Sequence, residues 1–431
     1  MARNTLREKG LIFHENRNLK SIFDNESPVV SILGCGPLAT FTALLLASET
    51  DYNVIIADST MPLSRISENS TVFWPSPNDP PTRAEVAHGH EVAKYLSQFC
   101  SSGNEVFESE ILPLLNKHAQ FSIGNWQRLS SFRMAFKDFE KKELEIACQL
   151  DLNLKSVNEN NLFCDTQMAG IIDSQSVEKL ILAAAQTMSA LKINHIPQNA
   201  ISLNEHSAHV EVTLDSQNTL KSDLVILATD SNIGKILPQY KDICIPMADI
   251  LSTWKLKKGE LQIQFPLLVR SAFGHWTLQI DSAVEGFHTL TITGPRFLLP
   301  SAGAGFSAED LQNDANNDST KIMLNMKNYI RNSLMPEILS FYSLKNATEW
   351  CASEFNLAFV DAHFTNDCLP CDELPLLGEW GRQGRILGAT GWLGCGFSAG
   401  AQAARILCDL VTKGRSAQWN ARLSPARFNR H

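Results

Sequence analysis

Two hydrophobic rhythms alternate along the chain. "VVSIL" (residues 29–33) is an unbroken apolar run, the pattern of a short strand buried on both faces. "GCGPLATFTALLLAS" follows directly, so a strand, a tight turn and a helix are expected over residues 29–48. "NVIIADS" reads as a second strand ending at Asp58. Further on, "SQSVEKLILAAAQTMSAL" carries a helical apolar face, "KINHIPQNAISL" reads as strands around a turn, and "AHVEVTL" alternates as a half-exposed strand. "SDLVILATDSN" is another apolar run, ending in Ala228, Thr229 and Asp230.

From Ile245 to Leu299 the period falls to two. "LSTWKLK", "FPLLVRS", "HWTLQID" and "FHTLTITG" each alternate, which predicts an antiparallel sheet and a separate domain. A helical stretch, "STKIMLNMKNYIRNSL", comes next, after the polar loop Asn313 to Thr320, and near Pro370 the pattern returns to that of the first domain. The expected fold is therefore α/β with two discontinuous domains. A Rossmann-like nucleotide-binding domain is expected from residues 28–75, 160–244 and 365–412, and a mainly antiparallel substrate domain from 76–159 and 245–364. Residues 1–27 read as an extension and 413–431 as a basic tail.

Composition narrows the class. The 431 residues are 44% hydrophobic and 19% charged, with a net charge of −9, as expected of a soluble globular protein with a sizeable core. The acidic balance disfavours broad binding to nucleic acid or anionic membrane. No apolar leader opens the chain, and its ten cysteines read as reduced thiols, so a cytoplasmic location is expected. The one uncharged stretch near membrane-spanning length, residues 29–48, contains glycines and a proline; no membrane association is expected.

The first turn is G-x-G-x-x-A: Gly34, Gly36 and Ala39, with Pro37 and Leu38 opening the helix. Gly34 would allow the tight turn, Gly36 the approach of a pyrophosphate, and Ala39 close packing of helix on strand. The helix N-terminus would offer free N–H groups to the phosphates. Asp58, about 22 residues past Gly36 and followed by Ser59, lies where an acid binds a ribose hydroxyl. These residues alone do not choose between NAD and FAD. A second glycine-rich block, "GATGWLGCGFSAGAQAARIL", begins at Gly388 and also feeds a helix.

Taken together, the first turn with Asp58, "GIIDSQSVEKLI", "LVILATDS" and the late block with D-x-x-P-x-x-G (Asp372, Pro375, Gly378) resemble the FAD-dependent D-amino-acid oxidase superfamily, which includes glycine and sarcosine oxidases. "SENSTVFWP" (Ser67, Asn69, Trp74, Pro75) and "LSPARFNR" (Leu423, Pro425, Arg427, Phe428) are similar to the FAD domain of the bifunctional enzymes that modify 5-carboxymethylaminomethyl-uridine in tRNA. The methyltransferase half of those enzymes has no counterpart here. The resemblance implies FAD as cofactor, held by Gly34, Gly36, Pro37, Leu38, Ala39, Asp58, Ser59, Ser67, Asn69, Ala228, Thr229, Gly391, Gly394, Cys395, Gly396, Phe397 and Ser398. The late turn would then serve the flavin end of the same dinucleotide, its helix dipole stabilising reduced flavin.

The implied chemistry is oxidation of a C–N bond in an amine bearing a carboxylate, free or on modified tRNA. Such a carboxylate needs a cation, ideally a bidentate arginine. The families commonly place one a few residues before D-x-x-P, whereas no arginine lies between Arg331 and Arg382 here. Arg270 and Arg296 are the candidates on the expected second sheet, with His275 and Trp276 as further pocket residues. Cys368 and Cys371 form a C-x-x-C without enough further ligands nearby, so no metal is expected. The tail carries Lys413, Arg415, Arg422, Arg427 and Arg430 without an acid; it reads either as a strip for RNA phosphates or as a solvated or self-docked segment. A flavin hydroxylase is disfavoured, because Ala389-Thr390-Gly391 stands where a G-D pair is usual. A non-catalytic flavin-binding subunit is a third reading.

Overall fold

The fold was obtained as a computed structural model. It describes residues 27–60, 63, 71–79, 81–119, 126–157, 161–172, 174–257, 266–313, 318–342, 357–392 and 394–428. Ser67 and Asn69, Arg430, and most of the N-terminal extension lie outside them.

The apolar runs pair as their composition requires. Val29–Leu33 lies between Asn53–Ala57 and Leu224–Leu227, both parallel to it, and Ile386–Thr390 continues the parallel set beyond Leu224–Leu227. Asn194–Ile196 closes one edge, and Leu376–Glu379, antiparallel to Ile386–Thr390, closes the other. Helices Pro37–Glu49 and Gly396–Lys413 pack on one face of this six-stranded sheet together with His90–Val106 and Ser174–Ala190. A three-stranded meander, Ala200–Glu205, Val210–Leu214 and Thr219–Ser222, covers the other through Val210, Val212 and Leu214. Helix Pro37–Glu49 is buried continuously from Leu38 to Leu46. This explains why its sequence is apolar on every side instead of striped.

The second sheet has eight strands. Its strand order runs Leu357–Pro370, Cys244–Lys257, Phe287–Thr293, Thr277–Ile280, Leu267–Ser271, Ser131–Met134, Leu162–Asp165, Leu154–Ser156. All neighbours are antiparallel except Leu267–Ser271 against Ser131–Met134. One face buries Met134, Val269 and Leu278 against the helical segment 318–342 through Met326, Ile330 and Leu334. The alternation read in residues 245–299 is thus that of strands with one face on a helical layer.

The segment 76–159 divides between the two cores. Val92, Leu96, Phe99 and Phe107 join the core of the first sheet, while Ser131–Met134 and Leu154–Ser156 join the second sheet. Leu162–Asp165 also belongs to the second sheet, so the chain re-enters the first domain near Ala169 and not at residue 160. The physical reason is that helix 90–106 has its own amphipathic face, which fits against helix Gly396–Lys413.

That helix contact leaves no slack. A Cβ on Gly103 would stand 1.7 Å from the carbonyl oxygen of Ser398. Backbone at both sides prevents relief by a rotamer change, so Gly103→Ala is expected to destabilise the protein by about 1–3 kcal/mol, measured as a lower midpoint in urea unfolding. An unchanged midpoint would refute the close approach.

Candidate functional site at the strand ends

The parallel strands Val29–Leu33, Leu224–Leu227 and Ile386–Thr390 end on the same edge of their sheet, and each runs into a glycine or small-residue turn. At the first turn Gly34 has φ +112°, and a Cβ there would lie 2.3 Å from the Ala228 carbonyl oxygen. The turn therefore passes directly over the end of Leu224–Leu227, which only glycine permits. Gly36 is the opposite case. Its φ is −66°, and an added Cβ would meet nothing within 4 Å. Among the described residues, the space in front of Gly36, at the start of helix Pro37–Glu49, is open. Pro37 occupies the first helical position, where its missing N–H costs nothing. Beside the turn, the Thr229 hydroxyl is buried without a hydrogen-bond partner.

Asp58 ends the second strand with its carboxylate turned back on the chain. Its Oδ1 accepts from the Thr60 amide at 2.9 Å and the Thr60 hydroxyl at 2.7 Å, and that hydroxyl also meets the Cys35 thiol at 2.7 Å. The predicted acid therefore ties the second strand end to the first turn. The exposed Ser59 donates its amide to the Asn199 side chain at 3.1 Å.

The late turn lies against the first one. Gly400 sits one helical turn into Gly396–Lys413, and a Cβ on it would lie 3.3 Å from the Leu38 amide nitrogen. The two helices thus start side by side, and their positive ends add at one place. Not all of the late N–H groups face outward, however. The Gly391 amide is donated to the Asp230 carboxylate, that of Gly394 to Asp367 Oδ2 at 3.1 Å, and that of Cys395 to the Trp392 carbonyl at 3.1 Å. Ser398 donates its hydroxyl to the Trp74 carbonyl at 2.7 Å, and the Phe397 ring packs 5.0 Å from that of Phe73. Gly396 is the position in this turn where an added Cβ meets nothing. Of the late glycines expected to face a cofactor, it is the one where, among the described residues, a side chain would find room.

Asp230 and Asp367 were not among the expected site residues, yet they shape the turn. Asp230 also accepts from the Thr390 hydroxyl at 2.6 Å. Burial, then the Asp367 charge, pushes its pKa up to about 7. Burial raises Asp367 as well. Asp249, on the strand paired with that of Asp367, is raised to about 6 by burial, against the pull of Arg296. The signal in the sequence was three isolated aspartates, one after a strand and two within strands, which is indistinguishable from surface acid without the pairing.

Arg270 sits in the middle of an internal network. It is fully buried and donates to Asp165 Oδ1 and Oδ2 at 2.7 and 2.8 Å, to the Ser76 carbonyl at 2.8 Å and hydroxyl at 2.6 Å, and to the Pro77 carbonyl at 3.1 Å. Trp74 lies under its guanidinium, 4.9 Å from ring centroid to Cζ. Arg133, its register partner on the next strand, is equally buried and donates to the Asn78 and Pro77 carbonyls. Burial and then the Arg270 charge lower the Arg133 pKa to about 9. Burial alone would raise Asp165, but the two guanidiniums prevail and lower it. The structure thus corrects the reading of Arg270 as a substrate-binding cation: both its terminal nitrogens are committed to the loop and Asp165.

Arg296 and His275 do come together. The Arg296 amide donates to the His275 carbonyl at 3.0 Å. The guanidinium donates to the Gly274 carbonyl at 2.7 Å and lies 3.6 Å from Asp249. His275 is exposed; the desolvated side of its ring, then the Arg296 charge, lower its pKa. Trp276, by contrast, is buried against Phe136. Cys368 is buried and Cys371 exposed; Cys368 hydrogen-bonds Cys244, so the C-x-x-C does not act as a pair. Much of the basic tail is docked. Arg427 chelates Asp372 of the D-x-x-P motif at 2.8 and 2.9 Å and also reaches the Leu374 carbonyl at 2.7 Å. Lys413 pairs with Asp409 at 2.6 Å, and Arg422 donates to the His88 carbonyl at 3.2 Å. Arg415 is exposed.

No protein-family profile and no curated protein matches the sequence. Solved structures do match the fold. Glycine oxidase from Geobacillus kaustophilus superposes with a TM-score of 0.60 at 13% identity, over 94% of this chain and 100% of that one. L-Amino acid deaminase from Proteus vulgaris gives 0.60 at 12% identity over 93% and 94%, and L-proline dehydrogenase from P. horikoshii 0.57 at 14% over 94% and 98%. The chain has the two-domain α/β fold of these enzymes. Among the described residues, no helix is long and apolar enough to cross a membrane.

Two predictions follow from the electrostatics. Arg270→Met strips both Asp165 oxygens of the Arg270 Nη2 they share and should cost about 3 kcal/mol. Arg133→Met, which also relieves repulsion between the guanidiniums, should cost less; equal midpoints in urea would refute the asymmetry. Asp230 gives a pH signature. Its pKa is raised on folding from 3.8 to about 7, so its contribution to stability is complete below 3.8 and is lost as pH rises to about 7. Asp230 has φ +51°, which asparagine tolerates. Asp230→Asn should therefore be more stable than wild type by about 2 kcal/mol at pH 8 and by little at pH 4. A gain independent of pH would contradict the assignment.

Proposed function

We propose that the protein is an FAD-dependent oxidoreductase that oxidises a C–N bond of an amine. The observation that carries this reading is the convergence of two glycine-led helix starts, Gly36 and Gly396, at one edge of the parallel sheet, both with open space where a side chain would be. One such start is a phosphate site; two side by side suit a long dinucleotide with phosphates at one and a ring at the other. FAD fits these residues: Gly36, Pro37 and Leu38 would hold the pyrophosphate, the Thr229 hydroxyl would gain the partner it lacks, and Gly396 would face the flavin. FAD would supply the acceptor for a hydride from the carbon beside the amine nitrogen. The names of the structural neighbours favour amino-acid-type amines.

The chain's own groups would position that amine and manage its proton. An amine gives up hydride only when neutral, and Asp249, with a pKa near 6, is suited to take the proton of an arriving ammonium. If the substrate carries a carboxylate, Arg296 is the cation to meet it. The tRNA-linked version of the substrate rests on the resemblance of "SENSTVFWP" and "LSPARFNR" and on exposed Arg415. The non-catalytic version requires flavin binding without turnover.

The test uses a substitution that the apoprotein should not feel. Gly36→Val enters empty space at an allowed φ, so the melting temperature without flavin should stay unchanged while FAD retention falls at least about ten-fold. Wild-type protein should purify with flavin absorbance and bleach under anaerobic conditions with one member of a panel of amines, amino acids and hypomodified tRNA. Full flavin retention by the variant would reject the cofactor site. Flavin that no amine reduces would reject the activity and leave the binding subunit.

A further inference from the structure

The meander that covers the back of the nucleotide sheet carries a second cluster of chemically capable side chains. Its first hairpin joins Ala200–Glu205 to Val210–Leu214, with Glu205 opposite Val210 and Asn204 opposite Glu211. His206 and His209 close it, the His206 amide donating to the His209 carbonyl at 2.8 Å. In this register His206, His209 and Glu211 fall on one face, because cross-strand neighbours and residues two apart share a side. The other face is occupied by the core residues Val210 and Val212 and by Glu205.

We propose that His206, His209 and Glu211 form a binding site for a divalent transition-metal ion of the zinc class. Their ligand atoms all lie within 4.8 Å of one another. Glu211 Oε2 is 3.4 Å from His206 Nε2, and Oε1 is 3.4 Å from His209 Nε2. These separations are long for charge-assisted hydrogen bonds, which run about 2.7–2.9 Å. Each is close to the donor–donor spacing around a tetrahedral ion, about 3.3 Å for metal bonds of about 2.0–2.1 Å, although the two reach different oxygens of the carboxylate, and the two imidazoles stack with centroids 4.6 Å apart. His206 Nε2 is buried and meets the Glu211 carboxylate only at that long distance, a weak contact that a metal ion would replace. Two imidazoles and one carboxylate select zinc, nickel or copper over magnesium or calcium. With three protein ligands a fourth position is left for water.

The hairpin tip is held in place before any ion arrives. Glu205 accepts from the amides of Arg382, Gln383 and Arg385 at 2.6, 3.1 and 3.1 Å, and Arg385 Nε donates to the Ser207 carbonyl at 2.8 Å. The cluster is therefore fixed to the turn that leads into strand Ile386–Thr390, and the ion would tie the two strands of the hairpin together at its tip.

Full-length protein, stripped with a chelator and returned to pH 7.5, is titrated with zinc chloride in a calorimeter. One equivalent should bind with a micromolar or tighter dissociation constant, and saturating zinc should raise the melting temperature by about 2 °C or more. The double variant His206→Gln/His209→Gln should lose the heat and the shift, and Glu211→Gln should bind at least about ten-fold more weakly. All three side chains are partly exposed, so the metal-free variants should melt with wild type. Cobalt in place of zinc should give the intense visible absorption of a tetrahedral site. Absence of saturable binding would overturn the proposal, as would undiminished binding by the double variant. Flavin is not the readout, so the outcome is independent of the proposed activity.

Discussion

Two guanidiniums share one carboxylate at the junction of the domains, and the chain between the sheets is arranged around that imbalance. Arg133 and Arg270 project from neighbouring strands of the second sheet toward the first, with Asp165 beside them. One negative charge cannot satisfy two buried cations, so the remaining donors turn to the carbonyls of Ser76, Pro77 and Asn78. The loop is thereby pinned over the second sheet. Its far end touches the hairpin turn of the second sheet and the late glycine turn: a Cβ on Gly274 would strike the Asn78 carbonyl oxygen at 2.5 Å, and one on Gly394 the Asn78 side-chain Nδ2 at 2.0 Å. At its near end the Trp74 carbonyl receives Ser398. The buried cations therefore hold the late turn in place over the second sheet through this loop.

Glycine serves two unlike purposes at this edge. At positions 34, 103 and 394 a side chain would collide with backbone or with the Asn78 side chain, and the residue permits close passage. At positions 36 and 396 there is nothing to collide with, and the residue keeps space clear. A sequence motif written as G-x-G does not separate these roles. Here the first glycine of the pair is structural and the second is the one whose substitution the fold would tolerate.

The fold was legible where a single periodicity ruled. The run 29–33 and the alternation in 245–299 appear in the sheets that their patterns imply, because burial on two faces or one leaves an unmistakable spacing. The segment 76–159 was less legible, since helix 90–106 is amphipathic toward another helix and not toward the sheet it was expected to join. At the site, glycines could be read because their geometry is local. The role of Arg270 could not: a strand arginine shows in sequence only as a cation, and its partners Asp165 and Ser76 are 105 and 194 residues away. The same holds for Asp230, Asp249 and Asp367, which acquire meaning only when the strands around residues 249 and 367 lie side by side.

Under the proposed function, those three aspartates bear on which amine the protein would accept. With Arg270 committed to the domain junction, Arg296 is left at the rim among Asp249 and Asp367, each of which feels its charge. A free carboxylate approaching Arg296 would have to displace the pull of Asp249 at 3.6 Å, and the field of the other two opposes it. An ammonium meets the reverse situation, since each carboxylate that it neutralises relieves a desolvation cost already incurred on folding. The electrostatic balance therefore favours the amine end of a substrate over an acidic end. Protons compete for the same sites: Asp249, raised to about 6, is largely ionised by neutral pH, whereas Asp230, raised to about 7, gains its full charge only above it. An amine of the proposed kind would lose its own proton at higher pH still, so the proposed reaction would be favoured on the alkaline side.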